Sequence, residues 1–142
     1  PEERAKEPDD WWVRRIADPE GLKVAFGDFR GQSIVGTVAL EFSAKPKTRH
    51  KALVVGMYVL PPFRGHGCAR ALIQSAIHFC TARGDIRAVQ LEVTEGNKPA
   101  VTLYESLGFT AYGVERMAVL TPAGDRSKVH MWLSLPSRAN SA

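Results

Sequence analysis

Two periodicities divide the chain. Leu22, Val24 and Phe26 alternate with other residues as a half-buried strand does, and after the polar turn "GDFRGQ" Ile34, Val38, Leu40 and Phe42 fall on one face of a second strand. The pair predicts an antiparallel hairpin, with Glu41 on the opposite face. "ALVVGMYVL", residues 52–60, is apolar on both alternating faces, which is how a central strand buried on both sides reads. Gly56 inside it marks a bulge or a close backbone approach. From Gly67 the spacing becomes helical: Ala69, Leu72, Ile73, Ala76 and Cys80 form one stripe opposite Arg70, Gln74 and His78, and Arg83-Gly84 ends it. In "AVQLEV", Val89, Leu91 and Val93 point inward again, so residues 52–93 predict a βαβ unit with two parallel strands. Asn97 caps a second helix, with Pro99 in its first turn and Ala100, Leu103, Tyr104 and Leu107 on its buried face, until Gly108 stops it. "TAYGVERMAVL" and "VHMWLSL" around "TPAGDRSK" predict a final hairpin. At the other end "PEERAKEPDD" reads as a frayed charged lead-in, followed by a short helix in "WWVRRIA" capped by Asp10.

A chain of 142 residues predicts one domain. No apolar run approaches the roughly 18 residues of a membrane span, and no charged-then-apolar leader follows Pro1, so a soluble, cytoplasmic protein is expected. Cys68 and Cys80 lie on one predicted helix, too distant to bridge, which fits a reducing compartment and two small core residues. The net charge of +4 is mild, and its densest run, "KPKTRHK", carries no aromatic residues for base stacking. That run reads as a solvated loop. The four histidines and two cysteines show no paired ligand spacing, so no metal is expected.

The chemistry concentrates in "VLPPFRGHGCARALI", where a buried strand passes through Arg64-Gly65-His66-Gly67 into a helix. Such a turn lets backbone N–H groups converge on an anion, with the helix dipole adding to the attraction. The phosphate loop of nucleotide hydrolases fails here, because Cys68-Ala69 stands where Lys-Ser/Thr is needed. A dinucleotide fingerprint fits poorly, since Arg70 replaces its third small residue. Arg/Gln-x-x-Gly-x-Gly/Ala fits, through Arg64, Gly67 and Ala69.

With this turn the chain resembles the GNAT superfamily of N-acetyltransferases, which bind acetyl-coenzyme A. "LEVTEGNKPAVTLYESLGF", Leu91 to Phe109, is similar to the family's second signature, and the two together cover residues 52 to about 110. The resemblance implies a mixed α/β (α+β) fold: a mostly antiparallel sheet with the parallel βαβ unit at the cofactor site and flanking helices. It implies that Met57, Tyr58 and Val59 offer backbone groups to the pantetheine arm. It further implies that Arg64 and the amides of Gly65, His66, Gly67, Cys68, Ala69 and Arg70 hold the pyrophosphate, and that Asn97, Ala100 and Tyr104 approach the cofactor's far end. Members of the family begin with a strand and one or two helices on the acceptor side. Here little more than "WWVRRIA" precedes the first clear strand, so that part is expected to be missing or replaced by a shorter cap or a partner subunit.

The implied reaction is direct attack of a primary amine, on a small molecule or a protein, on the acetyl thioester. The amine must first lose a proton. In members that modify protein N-termini a glutamate in Leu-Glu-Val does this, which points to Glu92; Glu41 and a water chain remain alternatives, as does a plain strand carboxylate. Tyr104 would return a proton to the leaving thiolate, although helical spacing alone favours a core tyrosine. A noncatalytic CoA-binding or sensing domain and a nucleic-acid-binding module stand behind this reading. The edge strands and final hairpin leave homodimer pairing open.

Overall fold

The computed structural model describes residues 21–136 in full and two further segments, residues 4–6 and 11–17, by their backbone. Eight strands and two helices follow in the order β1 (Arg4–Lys6), β2 (Trp11–Ala17), β3 (Lys23–Arg30), β4 (Ser33–Phe42), β5 (Lys51–Val59), α1 (Cys68–Arg83), β6 (Ala88–Thr94), α2 (Lys98–Ser106), β7 (Thr110–Thr121) and β8 (Gly124–Ser134), with a single 3-10 turn at Pro61–Phe63. All strands belong to one sheet of order β1-β2-β3-β4-β5-β6-β8-β7. Every neighbouring pair is antiparallel except β5 and β6, the βαβ pair. This is the expected mixed, mostly antiparallel α+β fold.

Two expectations at the N-terminus are corrected. "WWVRRIA" is a strand, paired along its length with β3 from Trp11↔Arg30 to Ala17↔Val24. Its tryptophans, valine and isoleucine suit a pleated surface, and the open edge of β3 supplies the ladder that a seven-residue helix would forgo. The charged lead-in contains β1, which pairs Arg4–Lys6 with the start of β2. The Asp10 cap lies outside the described residues.

Within the hairpin β3–β4 the inward face shifts register. Val35, Val38 and Leu40 are buried, whereas Ile34 is half exposed, because the pairing slips between Asp28 and Phe29. A one-residue slip turns each following side chain to the other face. Leu22 likewise lies outside β3 and is exposed, leaving Val24 and Phe26 to the core. Gly56 is a bulge, as its place in an apolar run suggested: Thr37 faces Tyr58 while Ala39 faces Val55, and Gly56 takes φ +66 between them. The bulge moves the buried positions of β5 from Ala52 and Val54 to Val59.

Helix α1 packs on β3, β4 and β5. Its buried stripe is Cys68, Leu72, Ile73, Ala76 and Cys80, with Cys68 taking the inward place expected of Ala69. Phe79 stands edge-on to Phe26 at 6.0 Å. Gly36 is required here by proximity, since a Cβ on it would lie 2.6 Å from Cys68 Sγ and 3.1 Å from Leu72 Cδ1. Gly84 ends α1 at φ +82 and Gly108 follows α2 at φ +103, both left-handed, as the glycine stops predicted. The last hairpin turns tightly at Pro122-Ala123, so its strands run deeper into "TPAGDRSK" than expected. No helix among the described residues is long and apolar enough to cross a membrane.

Candidate functional site

Strands β5 and β6 pair only through Lys51↔Ala88, Ala52↔Val89 and Leu53↔Gln90. Beyond that point Val54–Val59 and Leu91–Thr94 line opposite walls of a cleft of ≈ 1290 Å³. A parallel pair that parts midway leaves backbone donors and acceptors facing the gap, where an extended chain can use them.

At the head of the cleft lies the glycine turn. Gly65 (φ +79) and Gly67 (φ +86) both take the left-handed conformation that other L-residues resist, although a Cβ on Gly65 would meet nothing within 4 Å. The turn therefore needs glycine for its backbone shape. Gly67 caps α1 without a side-chain hydrogen bond, and the first turn of the helix holds no acidic residue. Its amides are thus left to an anion, at the positive end of a 16-residue helix.

Two arginines hold this region. Arg64 Nε donates to the Val59 carbonyl at 2.8 Å, and its guanidinium stacks over Tyr58 at 5.4 Å from the ring centre. That side chain braces the loop against the end of β5. Arg70 Nη2 donates to Ser106 Oγ at 2.9 Å, tying α1 to α2 across the cleft. Met57, Tyr58, Val59, Arg64, Gly65, Gly67, Cys68, Ala69, Arg70, Asn97 and Ala100 all line the cleft, with Tyr104 and Glu92; His66 does not.

Asn97 caps α2, its Oδ1 accepting from the Ala100 amide at 3.2 Å. Two turns on from that cap, Tyr104 is buried at 7% exposure, edge-on to Phe109 at 5.8 Å. Burial pushes its phenol above the usual value, so the hydroxyl is protonated at neutral pH and is a weaker acid than a free phenol. Cys68, the cysteine in the cleft wall, is the opposite of an activated nucleophile. Burial first, and then the Asp28 carboxylate against it, push its thiol up to about 12. A covalent route through this thiol has no physical support, whereas direct transfer needs none.

Glu92 stands on the exposed side of β6, with its Oε1 accepting from Lys128 Nζ at 3.1 Å. It is thus an exposed carboxylate whose cationic partner is a lysine where an arginine was expected of a plain strand carboxylate. Glu41 lies on β4, 4.0 Å from Lys23, and is not among the cleft residues. Lys128 in the cleft wall went unseen in the sequence. The signal for it exists only in strand register, which places Thr94 opposite Lys128 and Glu92 opposite His130.

Residues 1–109 match the acetyltransferase (GNAT) family. The chain is 38% identical over 114 residues to a mycothiol acetyltransferase from Thermomonospora curvata, covering 80% of this chain and 34% of that protein. It is 36% identical over 110 residues to N-acetyltransferase 8 of Rattus norvegicus, covering 75% and 48%. The chain thus spans half the length of these relatives or less. Its fold matches the crystal structure of the ribosomal-protein-S18-alanine N-acetyltransferase from Escherichia coli with TM-score 0.76 at 23% identity, over 85% of this chain and 74% of that one.

Proposed function

The chain belongs to the GNAT family of acetyltransferases, and on that premise we propose that residues 1–142 act as one domain that transfers the acetyl group of acetyl-CoA to a primary amine. The observation that carries the reading is a coincidence of three features in one cleft: the parted edge of β5, the uncapped amides of α1, and the protonated Tyr104. A noncatalytic CoA-binding domain would need the first two only.

Acetyl-CoA supplies an acetyl group activated as a thioester. Its chemistry fits the residues present: the parted β5 edge from Met57 to Val59 suits an amide-bearing arm, and the glycine turn with the first α1 amides suits a pyrophosphate. Backbone N–H groups near Tyr58 and Val59 would favour negative charge growing on the thioester oxygen. Glu92 takes the proton of the incoming ammonium, which cannot attack while charged. Tyr104 gives its proton to the departing sulfur and is reprotonated by the second proton that the acetylated nitrogen sheds as the amide forms, so each turnover leaves one proton on Glu92. Buried, free Cys68 and Cys80 agree with a reducing, cytoplasmic setting.

The acceptor is a primary amine of a small molecule or of a protein, at its end or on a lysine. The test is release of free CoA thiol from acetyl-CoA in the presence of L-alanine, an alanine-terminated peptide or spermidine, with the acetylated amine confirmed by mass. Amine-dependent release is expected for at least one. Absence of turnover with all three, in a chain that binds acetyl-CoA, would favour the noncatalytic alternative.

A further inference from the structure

Four side chains on three adjacent strands meet on one face of the sheet beside the cleft. Glu92 on β6 lies directly across from His130 on β8, and Lys128, two residues before His130, lies across from Glu115 on β7. The carboxylate of Glu92 is used asymmetrically. Its Oε1 accepts from Lys128 Nζ at 3.1 Å, while Oε2 faces His130 Nδ1 at 3.8 Å. The other nitrogen of the same ring, His130 Nε2, lies 3.0 Å from Glu115 Oε1. Tyr112 packs against the ring at 6.0 Å between centres, its hydroxyl accepting from Gln90 Nε2 at 3.4 Å. Glu92 and Lys128 line the cleft, His130 is set behind them, and Glu115 is exposed on the edge strand. The groups facing His130 are thus two carboxylates, one ammonium and one phenol, and the imidazole bridges the inner carboxylate to the outer one.

Resting on the acetyl-transfer reading, we propose that His130 is a relay residue that carries the proton collected by Glu92 out to Glu115 and solvent. Each turnover takes one proton from an acceptor ammonium, and a base inside an occupied cleft works again only when that proton has left. With Nε2–H donated to Glu115 Oε1, Nδ1 holds a lone pair toward Glu92 Oε2. A proton crossing from Glu92 to Nδ1 is matched by one leaving Nε2 to Glu115, which discharges to water. The neutral ring is then the Nδ1–H tautomer, and it is reset when Nδ1 gives up that proton and Nε2 takes one back through water at the partly exposed ring. Imidazole suits this task because its two nitrogens exchange protons in the neutral range. The 3.8 Å gap is closed by a small rotation of Glu92 or by one bridging water. His130 does not touch the acceptor; it acts through Glu92.

The test is steady-state kinetics from pH 6 to 9 with acetyl-CoA and L-alanine, the alanine-terminated peptide or spermidine, for wild type, His130→Gln and Glu115→Gln. Glutamine at 130 keeps a donor for Glu115 but cannot pass a proton on. The expected result is a kcat lower by about 10²-fold with KM for acetyl-CoA nearly unchanged, loss of the acidic limb of the pH profile, and recovery of rate with added imidazole. Glu115→Gln keeps an acceptor for the ring and is expected to lower kcat less, without imidazole rescue. If wild type turns over and both variants keep its pH profile, the relay is overturned and acetyl transfer stands. A rate loss in His130→Gln that imidazole does not restore also overturns it, leaving a cross-strand contact. Should His130→Gln fail to fold, an unchanged profile in Glu115→Gln decides against the relay. If wild type acetylates none of the three amines, the acetyl-transfer reading itself fails, and the relay with it.

Discussion

Residue by residue, the cleft sorts groups by what burial does to them. Tyr104 and Cys68 are both buried in its walls, and both keep their protons, but only the phenol is proposed to lose one in the reaction. Tyr104→Phe is expected to lower kcat by about 10²-fold while KM for acetyl-CoA changes little, since the ring packing on Phe109 survives; an equal rise in KM would assign the tyrosine to binding. The thiols make a separate prediction. Burial pushes Cys68 and Cys80 from 9.0 up to about 12, so between those values the folded chain holds protons that the unfolded chain has lost. Their contribution is therefore intact below pH 9 and is lost as pH rises toward 12. Tyr104 adds the same sign above 10.0. Midpoints of thermal unfolding from pH 7 to 11 should fall, and Cys80→Ala, though less stable at pH 7, should fall less steeply. Parallel slopes would contradict this. Most residues of the cleft were legible because they lie consecutively in the glycine turn or on one helix. Lys128 and His130 were not, because they reach Glu92 only through the pairing of β6 with β8.

Among the elements, β4 and α1 meet closely at Gly36. Gly36→Ala would drive a methyl into Cys68 Sγ at 2.6 Å, and overpacking of this kind costs about 1–3 kcal/mol. Removing the sulfur with Cys68→Ala should relieve part of that cost, so the two substitutions together should destabilise by less than their sum, measured by chemical unfolding of the four variants. Additive effects would mean that the strain lies in the backbone. The elements themselves followed from apolar spacing wherever one face was buried for many residues, as in α1 and β6. They did not follow where pairing decides. Trp11, Trp12, Val13 and Ile16 suit a helical face as well as a strand, and only the open edge of β3 resolves the choice. Ile34 was misplaced for a related reason, since a register slip leaves no mark in the sequence.

For the whole molecule, the sheet and the family agree on one architecture: a mostly antiparallel sheet that opens into a cleft at the one parallel pair among the described strands. The order β6-β8-β7 at that end brings the edge hairpin behind Glu92, so the last strands belong to the site as well as to the sheet. The central claim is that the opening binds acetyl-CoA. The most direct measurement is the thermal unfolding midpoint with acetyl-CoA, with ATP and with NADH at matched concentration and salt, in wild type and in Gly67→Ala, which strains the turn at φ +86. At 100 times its dissociation constant acetyl-CoA should stabilise the fold by about 2.7 kcal/mol, a rise of several degrees, with smaller rises for ATP and NADH and a reduced one in the variant. An equal rise with ATP, or none with acetyl-CoA, would contradict the account and leave the glycine turn as a general anion site.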